Sequence, residues 1–355
     1  MKRLLFTGLL IVACFSGYAQ SVTDDATIDE RVREVDATTP AELSQRLTAP
    51  YHTDREKLRA LFSWITQHID YRIKNYRGIA ATAPAIPEKD PAHWISADDF
   101  VAENVLRNRS AVCDGYARLF KSLCDYGGIR CRLISGFAQG DYNRRAAFRC
   151  NHTWNAVYLD SAWQLVDVTW ASGYTNLRGD VFVRRYDENY FLAPPRAFLR
   201  DHFPDDLRWS LLENPEIPSG FRSVPYKCRA FSKYRVTAFM PETGIIEAAV
   251  GDTIHIVLSS ADPLLDQKMV PDTLSDSDSS IHPVSASVAY PERFDTLETS
   301  HQLQYRYCVT DASVCWLHIR YNHDTILHYY LKVKKPDTAL KDKVAADLSP
   351  HFTPR

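Results

Sequence analysis

The stretch NHTWNAVYLDSAWQLVDVTWASG, residues 151–173, decides how the middle of the chain folds. Apolar and polar residues alternate on either side of Asp160-Ser161, the pattern of two strands joined by a tight turn. A two-residue turn there sets Leu159 opposite Ala162, Tyr158 opposite Trp163 and Trp154 opposite Asp167. His152 then shares a face with Asp167, one pair away on the diagonal and within reach of a side-chain hydrogen bond. A loop one residue longer or shorter would turn Asp167 to the other face and abolish that relation.

Upstream, NRSAVCDGYARLF (108–120) places Cys113 among turn-forming residues where a helical pattern begins. The spacing predicts a helix from about Val112 to Tyr126, stopped by Gly127-Gly128. A thiol acts as a nucleophile only as thiolate, and unpaired N–H groups at a helix start favour that form. Taken singly, each residue has an ordinary reading. Cys113 would be a buried small hydrophobe, His152 a satisfied strand histidine and Asp167 a strand-end turn former. Together they supply a nucleophile, a base and a group to orient the base. Asp114 would oppose the thiolate if it pointed inward, but adjacent helical side chains diverge, so it is expected to face solvent or cap the helix.

The flanking sequence predicts further elements. Residues 53–74 open with a Thr53–Glu56 capping box and continue as an amphipathic helix with Leu58, Leu61, Phe62, Ile65 and Ile69 on one face. A Pro-rich surface loop (78–94), a short helix over Ala97–Arg107 and a strand over 129–138 follow. Residues 184–225 are rich in aromatics and prolines without a period and are expected to wrap the first domain. From about Phe221, short strand-like runs at 234–240, 251–260, 285–290, 301–309, 314–321 and 325–333 predict an all-β sandwich. A polar insert (271–280) and an apolar-poor tail complete the chain. The expected domains are 20–220 and 221–337, after a leader over 1–19 and before a tail over 338–355.

With 355 residues, 45% hydrophobic and 24% charged, the chain is long enough for two cores. A formal charge of -2 gives no electrostatic reason to expect nucleic acid or an anionic membrane surface as the main partner. The start, MKRLLFTGLLIVACFSGYAQS, has the layout of a secretory signal cut after Ala19. A second reading takes IVAC as a lipoprotein signal with Cys14 as anchor. Either implies export, to the periplasm or beyond, and no later stretch is apolar enough to cross a bilayer. Setting aside Cys14 and Cys113 leaves six of the eight cysteines. A two-residue turn at Asp311-Ala312 would set Cys308 opposite Cys315 for a bridge, and unpaired buried cysteines are the alternative. No cofactor is expected, and nothing argues for zinc. Trp154, Trp163 and Trp170 flank the strands and either pack or line an acyl-binding groove. Trp154 and Trp170 are the substrate-binding candidates.

RSAVCDGYARLFKSLCDYGGI (109–129), the hairpin block at 151–173, and YFLAPPRAFLRDHFPDDLRWSLL (190–212) together resemble the transglutaminase-like superfamily, in its kyphoscoliosis-peptidase branch. The resemblance spans roughly 50–220, including LFSWITQHIDY. It implies an α+β, papain-like fold with the nucleophile helix against an antiparallel sheet, and a catalytic triad at Cys113, His152 and Asp167. The family includes cross-linkers, peptidases, amidases and inactive interaction modules. It pairs the nucleophile's own N–H with an upstream side chain or indole; Gln67 and Trp94 lie upstream, but the sequence does not place that second donor. Calcium dependence is not supported by any EF-hand loop. The expected protein is thus a cysteine peptidase, amidase or acyl transferase acting on protein or peptide, cell-wall peptide among them. The alternative is a catalytically silent module of the cell envelope.

Overall fold

The structure, a computed structural model, describes residues 23–73, 96–140, 147–264, 286–289 and 300–334. The leader with Cys14, the loop carrying Trp94, the 271–280 insert and the tail lie outside the described residues.

Three helices begin the described chain: α1 (Asp25–Arg31), α2 (Pro40–Thr48) and α3 (Asp54–His68). The capping box on α3 forms as the sequence requires, the Thr53 side chain accepting from the Glu56 N–H while Glu56 reaches back to the Thr53 N–H. Leu58, Leu61, Phe62 and Ile65 are fully buried. The helix stops earlier than its apolar period suggests. Ile69 turns extended, and β1 (Asp70–Tyr71) pairs in parallel with β2 (Ser110–Ala111), which follows α4 (Ala97–Asn108). Arg59, buried on α3, ties this region together. It makes paired hydrogen bonds to Asp29 (2.8 and 2.7 Å) and to Glu188 (2.6 and 2.8 Å). Burial opposes its charge, but these two carboxylates raise the guanidinium's pKa further.

Next come α5 (Cys113–Tyr126), β3 (Cys131–Ala138), β4 (His152–Leu159), β5 (Ala162–Val166), α6 (Val168–Ser172), β6 (Gly173–Thr175), β7 (Phe182–Arg184), α7 (Pro195–Phe198) and β8 (His202–Pro204). Strands β5, β4, β3 and β8 form, in that order, an antiparallel sheet that packs against the helices. Asp160 and Ser161 both have positive φ (50° and 65°), as the two-residue hairpin turn demands, and Tyr158 pairs with Trp163 and Leu159 with Ala162. Helix α5 lies on this sheet, held by the Asn155 side chain donating to the Ala117 carbonyl at 3.0 Å. Gly115 permits its close approach to β2: a Cβ there would sit 2.6 Å from that of Ala111.

The C-terminal region holds β9 (Tyr226–Lys227), α8 (Arg229–Lys233), β10 (Val236–Met240), β11 (Ile245–Ala249), β12 (Thr253–Leu264), β13 (Ala286–Ala289), β14 (Ser300–Cys308), β15 (Trp316–Tyr321) and β16 (Asp324–Lys334). One sheet runs β10-β12-β14; the other, of mixed direction, runs β11-β16-β15-β13 with β9 added to β16. Ile256, Leu258 and Tyr305 from the first share a core with Leu317, Ile319 and Tyr329 from the second. The predicted Cys308–Cys315 bridge does not form. Cys308 ends β14, which pairs with β12, whereas Cys315 precedes β15, which pairs with β16 and β13 in the other sheet, and every described cysteine is unpaired.

The two regions meet through Phe137, Phe148, Phe203, Phe221, Tyr226 and Trp316, which form one aromatic cluster. Beside it the Asp205 carbonyl accepts from the buried His328 Nε2 at 2.5 Å, and the Asp205 carboxylate from the Tyr226 hydroxyl at 2.5 Å.

Candidate active site

Asp167 is not on a strand. One residue past β5, it caps α6, its Oδ1 accepting from the N–H groups of Thr169 (2.8 Å) and Trp170 (3.0 Å). Its Oδ2 faces His152 Nε2 at 2.6 Å and His202 Nε2 at 3.1 Å. The carboxylate is fully buried. Burial alone would raise its pKa, yet the charge and hydrogen bond of His152, followed by those of His202, hold it well below the usual carboxylate range.

His152 opens β4 and is 8% exposed. Burial works against its charged form, but the Asp167 carboxylate and then the Cys113 thiol outweigh that, and its pKa is pushed up to about 10. Cys113 is the first residue of α5, and Val112 before it provides no side-chain cap, so the first-turn N–H groups face the thiol's surroundings. Burial pushes the thiol up, whereas a hydrogen bond and charge interaction with His152, with help from the Thr153 N–H, bring it below its ordinary value. The structure thus pairs His152 with Asp167, and the charge of His152 is felt by the Cys113 thiol. Asp114 is turned away and bonded to Arg118 Nε at 2.8 Å.

The other sequence candidates separate. Trp154 is 1% exposed and packs with Ile134, Ala156 and Phe198, so its place is in the core. Gly136 makes room for it, since a Cβ there would lie 2.3 Å from the indole. Trp163 is likewise buried, against Trp209. Trp170 is at the site: its ring lies 5.5 Å from that of His152 and lines the adjoining cleft. Gln67 donates to the Asp29 carbonyl and to Ser63, away from the thiol. Trp94 lies outside the described residues.

The cleft, about 1310 Å³, is bordered by Tyr71, His152, Trp170, Tyr174, Phe182 and Tyr190. Tyr71 is a residue that the sequence reading missed. It reaches the cleft because β1 pairs alongside Ala111, two residues before Cys113. Burial, and then the negative charge of Cys113 and Asp167, lift its phenol to about 12. His202 was also missed, being part of an aperiodic run with no spacing relation to the three motif residues. Among the described residues, His152, Asp167 and His202 form the group whose potential ligand atoms lie within 4.8 Å of one another. At 2.6 Å the His152–Asp167 pair is closer than two donors around a zinc ion would stand, so a shared proton fills that gap.

Comparison with known proteins bears on this arrangement. Residues 41–168 match the model of the transglutaminase-like superfamily. Kyphoscoliosis peptidase of Homo sapiens is 34% identical over 250 residues, 70% of this chain and 34% of that protein. Hillarin of Drosophila melanogaster is 28% identical over 220 residues, 57% of this chain and 24% of that protein. A solved structure described as a TGase aligns with a TM-score of 0.25 at 20% identity, covering 50% of this chain and 40% of that one. The chain spans about a third of the length of the kyphoscoliosis peptidases that it matches. No helix among the described residues is long and apolar enough to cross a membrane. From residues 41 to 168 the chain thus carries a transglutaminase-like, papain-like domain related to the kyphoscoliosis-peptidase-like proteins.

Proposed function

We propose that the protein is a cysteine enzyme that cleaves or transfers at amide bonds through a thioester on Cys113. The observation that carries this reading is the buried His152–Asp167 pair, 2.6 Å apart, whose histidine lowers the pKa of a thiol at a helix start. With Nε2 engaged by Asp167, His152 presents its other ring nitrogen to the sulfur. The thiolate attacks the carbonyl carbon of an amide; the C–N bond breaks, and the imidazolium proton goes to the leaving amine. His152 then takes a proton from water or from an incoming amine. That nucleophile displaces the thiol and releases acid or a new amide. The Cys113 N–H, at the uncapped start of α5, serves as one oxyanion donor in this reading.

A protein or peptide substrate suits a cleft of about 1310 Å³ walled by aromatic rings, more than a small ligand needs. Export to the periplasm or exterior, as the leader implies, would put cell-wall peptides among the candidates. In this reading the catalytic domain runs from 20 to 220 with α5 as the nucleophile helix, and residues 221–337 form a sandwich that positions substrate or partner.

The test is alkylation of the full chain by iodoacetamide across a pH series, with peptide, Gln-plus-amine and cell-wall peptide assays of wild type and Cys113→Ala. Cys113 should label well below the pH of an ordinary thiol and lose that property in His152→Ala. Slow labelling indifferent to His152, with no activity lost in Cys113→Ala, would establish a silent interaction module instead.

A further inference from the structure

The three motif residues account for only part of the polar array at the site. His202, on β8 and outside the segment that matches the superfamily, is fully buried and places Nε2 3.1 Å from Asp167 Oδ2. Its Nδ1 lies 2.5 Å from Asp201 Oδ1, and the other Asp201 oxygen accepts from the Tyr190 hydroxyl at 3.1 Å. A neutral imidazole donates from one nitrogen only and would turn a lone pair on one of the two carboxylates. With both carboxyl groups ionised, only a ring carrying both protons satisfies both. The surroundings suit a cation: Phe198 stacks on the ring at 4.1 Å, and Trp170, Trp154 and Tyr190 stand at 4.6, 5.1 and 6.0 Å.

We propose that His202 is a positioning residue, an imidazolium clamped between Asp167 and Asp201 that fixes the carboxylate on which His152 rests and makes His152 readier to give up its proton. This rests on the catalytic reading of His152. The charged and titratable groups around the ring are Asp167 at the start of α6, His152 on β4, Asp201 beside it and Tyr190 from the 188–190 turn. The Asp167 carboxylate has all four acceptor sites used: two by backbone N–H groups and two by histidines. The cation on its far side lowers its appetite for the His152 proton, so His152 keeps that proton rather than passing it to the carboxylate. At 5.5 Å between ring centres, the second positive charge also repels the first. An imidazolium held too tightly would be a poor acid toward a leaving amine, and His202 relieves that.

Two measurements on the full-length protein test this. First, nitrogen NMR of histidine-labelled protein should show both His202 ring nitrogens protonated in the folded protein. A single neutral tautomer would overturn the proposal. Second, His202→Gln keeps a neutral donor near the position of Nε2 and removes the charge. The alkaline limb of the Cys113 alkylation profile should then move up by roughly one to two pH units, on a Coulomb estimate for two charges at this separation. The rate of thioester formation should fall while substrate KM holds. An unmoved limb, or one that moves down, refutes the proposal; a loss of folding in this variant leaves the NMR result to decide. If instead His152→Ala leaves Cys113 alkylation unchanged, the catalytic reading has failed, and the protonation of His202 still stands or falls on the spectrum.

Discussion

Replacing Asp167 by Asn changes the charge on the buried array while leaving its shape. The Asn side-chain oxygen can still accept from Thr169 and Trp170, so the cap on α6 survives, but two buried histidines lose their counter-charge and the thermal midpoint should fall. The electrostatic consequence is larger. His152 rises from 6.5 to about 10, which corresponds to about 5 kcal/mol in favour of the imidazolium. Asp167 is the foremost of the two groups that raise it, ahead of Cys113. If it carries half of that rise, its loss costs about 2–3 kcal/mol, roughly a fifty-fold fall in the population of the thiolate–imidazolium pair. Because His152 is 8% exposed, solvent screens little of this. The assay is the rate of iodoacetamide labelling of Cys113 at pH 6, with peptide mapping to confirm the site. Asp167→Asn should label some fifty-fold more slowly, by the same conversion, and its profile should shift toward that of an ordinary thiol. Superimposable profiles would show that the carboxylate does not set the charge state of the pair.

Other perturbations probe the framework. Gly115→Ala places a methyl 2.6 Å from the Ala111 Cβ and 3.0 Å from Val105 Cγ2; net of the better helix propensity of Ala, urea unfolding should show a loss of about 1–2 kcal/mol. Arg59→Met leaves Asp29 and Glu188 without their cation. Because Glu188 is half exposed, the cost should be about 2–3 kcal/mol rather than the full buried-pair figure, with α1 the first segment to lose hydrogen-exchange protection. His328, buried and held neutral, has a folded pKa of about 4 against 6.5 for a free histidine. The unfolded chain therefore takes up the proton first. This contribution is complete above pH 6.5 and is lost as pH falls toward 4, by up to about 3 kcal/mol. His328→Gln should show a shallower fall in unfolding free energy over that window, and equal slopes would exclude His328 as the source.

Much of this arrangement could be read from local chemistry. The capping box at Thr53, the hairpin turn at Asp160-Ser161 and most strands of the C-terminal region depend on residues close in sequence, and pattern reasoning reached them, though not β9 or β11. It also aligned His152 with Asp167, although Asp167 proved to be a helix cap just beyond the paired strand. Helix α2 was overlooked despite a usable signal, since Thr39 caps it and Pro40 opens it. What could not be read is what distant segments decide. Ile69 leaves a helical pattern because β2 offers a strand partner, Tyr71 reaches the cleft for the same reason, and Cys308 parts from Cys315 because β14 and the β15 that follows Cys315 join different sheets. His202 belongs to this class too: neither its neighbours nor its spacing shows that β8 returns to the edge of the site sheet.

That returning strand bears on any attempt to excise a minimal enzyme. A fragment ending at residue 168 would include all three motif residues yet leave β3 with a bare edge where Gly136, Phe137 and Ala138 now pair with Pro204, Phe203 and His202. Unpaired backbone groups and stranded aromatic rings make such a fragment prone to self-association. The shortest self-sufficient unit must reach past residue 204, and Asp205 there is gripped by Tyr226 and His328.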